Sequence, residues 1–235
     1  MLMGAALVLL VGAMAAFRFL VLGGGSSNMF SSQRIGIVNI EGAIFESRAI
    51  NEWIAQLRDD DSISGVLVRV DSPGGSVAPS QEIFRAIERL AEVKPVVVSM
   101  GSVAASGGYY VSCPAHTIMA NPGTITGSIG VKMEILQFMG LMEQIGLDQQ
   151  ALVSGKFKNT PSPFEEMTDE ELEYLQSIVT DLFDQFVSDV ADKRGLNPAD
   201  VQKIADGRIV TGRQALEEGL VDGIGSFDDA LEVLK

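Results

Sequence analysis

The sequence predicts an α/β domain whose strands run mostly parallel. Three observations carry this prediction: apolar Val/Ile-rich runs of strand length, helical patterns between them, and glycine-rich turns directly after two of the runs. Residues 35–40 (Ile-Gly-Ile-Val-Asn-Ile) read as a buried strand. Residues 50–57 follow as a helix with Trp53, Ile54 and Leu57 inward. A second strand at 66–70 stops at Asp71-Ser72-Pro73-Gly74-Gly75, and a helix from about Pro79 to Ala91 places Ile83, Ile87 and Leu90 at helical spacing. Residues 95–100 form a third strand, and 101–112 turn into another helix.

The remainder is read in the same way. Residues 118–120 are a short strand, 135–145 look helical, and Ala151-Leu152-Val153 is again a strand. Thr168 can cap a long acidic helix, because Glu171 three residues on completes a capping box. That helix runs to about Arg194, with Leu172, Leu175, Ile178, Leu182 and Phe186 on one face. From Ile209 onward short strands and helices alternate. No repeat and no second boundary interrupts residues 34–235, which are expected to form one domain.

Ahead of it, residues 1–22 are almost continuously apolar, with Arg18 as their single charge. Their length approaches the ~20 residues that cross a bilayer core, and Arg18 near one end could snorkel to the headgroups. Residues 23–33 begin Gly-Gly-Gly-Ser-Ser-Asn and read as a flexible linker. One reading is an uncleaved transmembrane anchor; the other is a signal segment cut after Ala13-Met14-Ala15. The anchor is favoured because the apolar run continues past that cut.

Composition excludes several function classes. The 235 residues carry a net charge of −14 without a basic stripe, so nucleic acid is not an expected partner. A single cysteine, Cys113, excludes an internal disulfide and a Cys-rich zinc site; no metal or cofactor is expected. His116 is the only histidine and stands ten residues beyond Ser106 at the end of the same element, so a Ser-His-Asp triad is not expected. A Cys113–His116 dyad is weaker than a buried structural thiol.

The chemistry is expected at two turns, 71–76 (Asp-Ser-Pro-Gly-Gly-Ser) and 101–108 (Gly-Ser-Val-Ala-Ala-Ser-Gly-Gly). In a parallel sheet such turns gather at the carboxyl ends of the strands, where ligands bind. Small neighbours leave the Ser106 hydroxyl open to a peptide carbonyl, although they equally suit close helix packing. A serine nucleophile needs a base, and with histidine set aside the remaining type is a lysine held neutral by desolvation. Spacing does not choose among the lysines.

Taken together, Ser72-Pro73-Gly74-Gly75, the run Met100-Gly101-Ser102-Val103-Ala104-Ala105-Ser106-Gly107-Gly108-Tyr109-Tyr110, and the run from Ala120 to Val131 (Ala-Asn-Pro-Gly-Thr-Ile-Thr-Gly-Ser-Ile-Gly-Val) resemble the signal peptide peptidase A family. These are protease IV-like serine proteases with a Clp protease/crotonase-like fold. The resemblance runs from about Ile35 to the C-terminus and suits the short, single-domain form. It implies Ser106 as nucleophile and Lys158, in Ser154-Gly155-Lys156-Phe157-Lys158, as general base, with Lys156 the alternative. It further implies Ser128 as the group orienting the lysine, and the N–H groups of Gly75 and Gly107 as the oxyanion hole.

The implied activity is that of an endopeptidase degrading remnant signal peptides and other apolar peptides. It would be held at the cell membrane by one N-terminal span, with the protease domain on the extracytoplasmic side. The implied assembly is a homo-oligomer whose active sites are shared between subunits. The rivals are a non-catalytic membrane-associated scaffold of the same fold and a crotonase-like acyl-CoA enzyme.

Overall fold

The computed structural model describes residues 34–235. The expected anchor and linker, residues 1–22 and 23–33, lie outside the described residues. Within these, no helix is long and apolar enough to cross a membrane.

Four parallel strands make the sheet's spine: β1 (Arg34–Glu41), β2 (Ile63–Ser72), β3 (Val96–Ala105) and β4 (Thr117–Ala120). Helix α1 (Arg48–Asp59) joins β1 to β2, and α2 (Val77–Ala91) joins β2 to β3. The short α3 (Gly107–Ser112) leads from β3 to β4. Strand β3 then forks. Its first half, Val97–Ser99, pairs with β4, and its second half, Val103–Ala105, pairs with β5 (Ile125–Gly127). The sheet is completed by β6 (Ile209–Thr211), antiparallel to β5, and by β7 (Gly223–Ile224), parallel to β4.

Period-two alternation gives the sheet two buried faces. Val66, Val68 and Val70 face the larger core with Ile83, Phe84, Ile87 and Leu90 of α2, all without solvent exposure. Leu67 and Val97 face the opposite side, under α8 (Phe227–Leu234). Each such Leu or Ile contributes about 1.5–3 kcal/mol by leaving water. Helix α5 (Asp169–Arg194) has the expected capping box between Thr168 and Glu171, and ends at Gly195 in the left-handed region, φ 62°. Its second half, through Phe186, Val187, Val190 and Ala191, closes the larger core. The tail adds α6 (Pro198–Ile204) and α7 (Gly212–Glu217).

Several expectations need correction. Trp53 does not point inward: it lies half exposed, and its Nε1–H donates to the Ile37 carbonyl at 2.8 Å, satisfying an acceptor on the edge strand β1. The helix expected from residue 101 starts only at Gly107, because β5 extends the ladder along β3 as far as Ala105. Gly101 lies inside that strand; a Cβ there would meet Asp71 Cγ at 2.7 Å, and Asp71 Oδ1 accepts the Val103 N–H at 3.0 Å. Residues 151–153 form no strand, since none of the described strands pairs with them. The helix expected over 135–145 is reduced to α4 (Met139–Gln144), none of whose residues is buried. Leu172 is exposed because the first turns of α5 run past the core.

Candidate active site

Ser106 occupies the corner between β3 and α3, with φ 53° and ψ −120°. A non-glycine residue held at positive φ costs on the order of 1–3 kcal/mol and persists only where neighbours over-determine it. Here the Ser106 N–H donates to the Gly127 carbonyl at 2.8 Å, and the Ser106 carbonyl accepts from the Tyr110 N–H at 2.9 Å. The hydroxyl has no hydrogen-bond partner among the described residues, so it is left facing the cleft.

The second glycine turn is pressed against this corner. A Cβ on Gly74 would meet the Gly107 nitrogen at 2.5 Å, and one on Gly107 would meet the Gly75 nitrogen at 3.3 Å and Ser80 Oγ at 2.6 Å. A Cβ on Gly75 would lie 2.1 Å from the Ile44 carbonyl oxygen. Backbone proximity therefore excludes side chains at Gly74 and Gly75, and at Gly107 a Cβ would first collide with the Ser80 hydroxyl. The turn is clamped by Ile44, whose N–H donates to the Gly74 carbonyl at 2.9 Å and whose carbonyl accepts the Ser76 N–H at 2.8 Å. Ser72 Oγ accepts the Gly74 N–H at 3.1 Å. Among the described residues the N–H groups of Gly75 and Gly107 donate to no protein acceptor. Two free donors side by side at a serine can bind a developing oxyanion. Ile44 is a contributor that sequence patterning missed, since nothing local in residues 42–45 announces pairing with residue 75.

Two cavities border Ser106. One, of about 340 Å³, runs past Gly75 and Gly107 and is lined mainly by apolar groups, among them Val77, Tyr110, Leu182 and Phe186. The Tyr110 ring stacks on Phe84 at 4.7 Å and meets Phe186 edge-on at 4.9 Å. Its hydroxyl donates to Asp189, and burial together with that carboxylate raises the hydroxyl pKa above its usual range. The other, of about 560 Å³, is more polar and is lined by Ser128, Gln176, Thr180 and Asp206 among others. Ser128 is itself held at φ 53°, its N–H donating to the Arg208 carbonyl at 2.8 Å. The fork in β3 makes this neighbourhood, because pairing with β5 carries Gly127 and Ser128 to the Ser106 corner.

The lysines divide differently. Lys158 sits in a turn closed by its N–H to the Gly155 carbonyl at 3.0 Å, and it lines neither cavity at Ser106. Lys156 is exposed and ion-paired with Glu170. Within one chain, then, Ser106, Ser128, Gly75 and Gly107 come together and Lys158 does not join them. The lysine that does line both cavities is Lys132, which the sequence reading did not single out. Its signal was its place four residues beyond Ser128.

The rejected bases stay apart. His116 is exposed and its Nδ1 accepts the Val96 N–H at 3.1 Å, at the start of β3. Ser106 follows the other end of that ten-residue strand, roughly 30 Å away at the usual rise per residue. The Cys113 thiol is buried, donates to the Tyr109 carbonyl at 3.3 Å, and is pushed up to about 12 by desolvation.

Known proteins resemble this chain along most of its length. A protein of Methanocaldococcus jannaschii with a provisional protease name is 43% identical over 190 residues, covering 81% of this chain and 61% of that protein. A provisionally named signal peptide peptidase SppA of Enterococcus faecium is 36% identical over 212 residues, covering 90% of this chain and 59% of that protein. The chain thus spans about three fifths of the length of these relatives. Among solved structures, a ClpP1 mutant of Listeria monocytogenes superposes with a TM-score of 0.57 at 17% identity, covering 83% of this chain and 94% of that one. That likeness establishes an α/β fold of the ClpP kind. The family model described as peptidase family S49 matches residues 88–235, which include Ser106, Ser128 and Lys158. The chain belongs to peptidase family S49 and is of the signal peptide peptidase A type.

Proposed function

We propose that this peptidase is a membrane-anchored serine endopeptidase in which Ser106 attacks and Lys158 of a second copy of the chain acts as base. The observation that carries the reading is Ser106 on a strained corner, beside the free N–H groups of Gly75 and Gly107, at the mouth of an apolar cavity. A peptide bond laid across the corner presents its carbonyl oxygen to both donors. The Ser106 oxygen adds to the carbonyl carbon as its proton passes to the lysine amine. The amine returns that proton to the leaving nitrogen as the C–N bond breaks. Water, deprotonated by the same amine, then releases the acyl group. Lysine can do this only while neutral, and exclusion from water favours that form. Ser128, on the same cavity as Ser106, would orient the amine.

A second copy is invoked because Lys158 lies on residues 131–168, an arm that turns its apolar side chains outward. Leu136 is 70% exposed, Leu152 93% and Ile145 59%, more than an isolated surface usually leaves bare. Covering this arm with another subunit would bury those side chains and deliver a lysine to a neighbouring Ser106. The apolar cavity suits extended apolar peptides such as remnant signal peptides. An anchor in residues 1–22 would keep the enzyme beside them, on the extracytoplasmic face of the cell membrane.

The test is hydrolysis of a fluorogenic apolar peptide by wild type, Ser106→Ala, Lys158→Ala and Lys156→Ala. Activity should vanish in the first two variants and persist in the third. Mixing the two inactive variants should restore part of the activity if the dyad is shared between chains. Loss in Lys156→Ala alone would move the base by two residues. An oligomeric wild type that neither cleaves nor reacts with a serine-directed probe would support the scaffold instead.

A further inference from the structure

Lys132 is the only Lys or Arg, among the described residues, that lines the two cavities at Ser106, and it lines both. The stretch leaving Ser128 carries it there, with Gly130 and Val131 bordering the same cavities. Its side chain is 81% exposed and pairs with Glu134 at 2.8 Å, itself 77% exposed. Such a pair is screened by water and readily exchanged for another carboxylate. The hydrogen bond from Lys132 holds the Glu134 carboxyl below its usual range, so the competing charge is present near neutrality.

The other charged group on the polar cavity, Asp206, is already satisfied. Arg208 Nε donates to its two oxygens at 2.7 and 2.9 Å, Nη2 donates as well, and the Arg208 N–H adds a bond at 3.1 Å. A carboxylate approaching Ser106 therefore meets one exchangeable cation on a chain of net charge −14. A water-facing ammonium suits this pairing better than it suits the role of a neutral base.

We infer that Lys132 is a specificity-determining residue that selects peptides carrying a carboxylate just beyond the scissile bond. The apolar cavity is the one bounded by Gly75 and Gly107, so it receives the side chain on the acyl side of the bond. The polar cavity, on the Ser128 side, receives the leaving side. The carboxylate is an acidic side chain there or the free C-terminus of a short leaving fragment; the chemistry recognised is the same. This selectivity rests on Ser106 being the nucleophile.

The experiment measures binding of fluorescent apolar peptides to the full-length Ser106→Ala chain by anisotropy. One pair compares Asp with Asn directly after the scissile bond, both with amidated ends; a second compares a free C-terminus with an amide. The carboxylate member should bind roughly fivefold more tightly, as an exposed ion pair allows. Adding Lys132→Met should erase the difference, Lys132→Glu should reverse it, and Glu134→Gln should enlarge it. A response in the first pair assigns the side chain, and one in the second assigns the terminus. Equal affinities within both pairs, a preference that survives Lys132→Met, or no binding at all would overturn the inference. Cleavage of the uncharged peptide by wild type, absent in Ser106→Ala, tests the protease reading separately.

Discussion

Residues 34–130 and the arm at 131–168 use apolar side chains in opposite ways. In the first region they fill the two faces of the sheet, and Ile87, Leu90 and Ile118 have no solvent exposure. In the second, Leu136, Leu141, Ile145, Leu147 and Leu152 all face outward, and α4 buries nothing. The first region holds Ser106, Gly75 and Gly107 in place by its own packing. The second carries Lys158 on a surface the chain by itself leaves uncovered. The difference teaches that the proposed nucleophile and oxyanion donors belong to the folding of one chain, whereas the proposed dyad would be completed only by assembly. Preorganised donors stabilise charge only where the scaffold holds them rigid, which the packed half supplies for the proposed pair.

The most damaging way to break the packed half is Gly75→Ala. With the Ile44 carbonyl oxygen 2.1 Å from the new Cβ, the turn has to move, and one proposed oxyanion donor moves with it. Peptidase activity should fall by roughly 10²–10³, measured as kcat/KM on protein whose oligomeric state matches wild type. A variant with unaltered kcat/KM would remove Gly75 from the oxyanion hole.

The two regions should separate next in stability. Ile118→Ala in the buried half should cost about 2–5 kcal/mol in urea unfolding, whereas Leu152→Ala, measured on the dissociated chain, should stay within about 0.5 kcal/mol. Comparable losses would mean that the arm is packed in a way the single chain does not display.

Leu152→Asp sharpens the comparison further. Sedimentation should show smaller species, the melting temperature of the dissociated chain should stay near that of wild-type chain dissociated by dilution, and activity should fall at least about tenfold, since burying an unpaired charge opposes association. Full activity in a confirmed monomer would sink the shared-site reading.

The smallest expected effect is electrostatic. Hydrogen bonds from Arg208 lower the Asp206 carboxyl from its reference 3.8 to about 2. A depressed folded-state pKa contributes stability that is complete above the unfolded pKa and is lost as pH falls toward the folded one. Asp206→Asn should therefore slightly flatten the decline in urea midpoint between about pH 4 and pH 2. Since about half or more of each side chain of this pair is exposed, an unchanged slope would show that solvent screens it completely.

Legibility followed the same division. The inward spacing of Ile83, Ile87 and Leu90, and the Thr168–Glu171 box, are readable because each is a pattern within one helix. The Ser106 corner was readable from its small neighbours, but its positive φ was not. That conformation depends on Gly127, twenty-one positions on, accepting the Ser106 N–H. Trp53 misled because its apolar ring sits at inward spacing while its N–H serves an edge carbonyl. The 151–153 run misled because strand composition does not supply a partner strand. For Lys132 the only local signal is its place four residues beyond Ser128, which does not say that the side chain borders the Ser106 cavities.

By itself the sequence determined the alternation of strands and helices, the caps of the long helix, the two glycine turns and the family resemblance. Apolar periodicity and turn chemistry act over a few residues and are written directly in the chain. Only the tertiary structure decided that β3 forks, that Ile44 clamps the Gly74–Gly75 turn, and that Lys132 stands at Ser106 while Lys158 stands apart. Those arrangements join segments tens of residues distant, and periodicity reports which face is apolar but not what comes to lie against it.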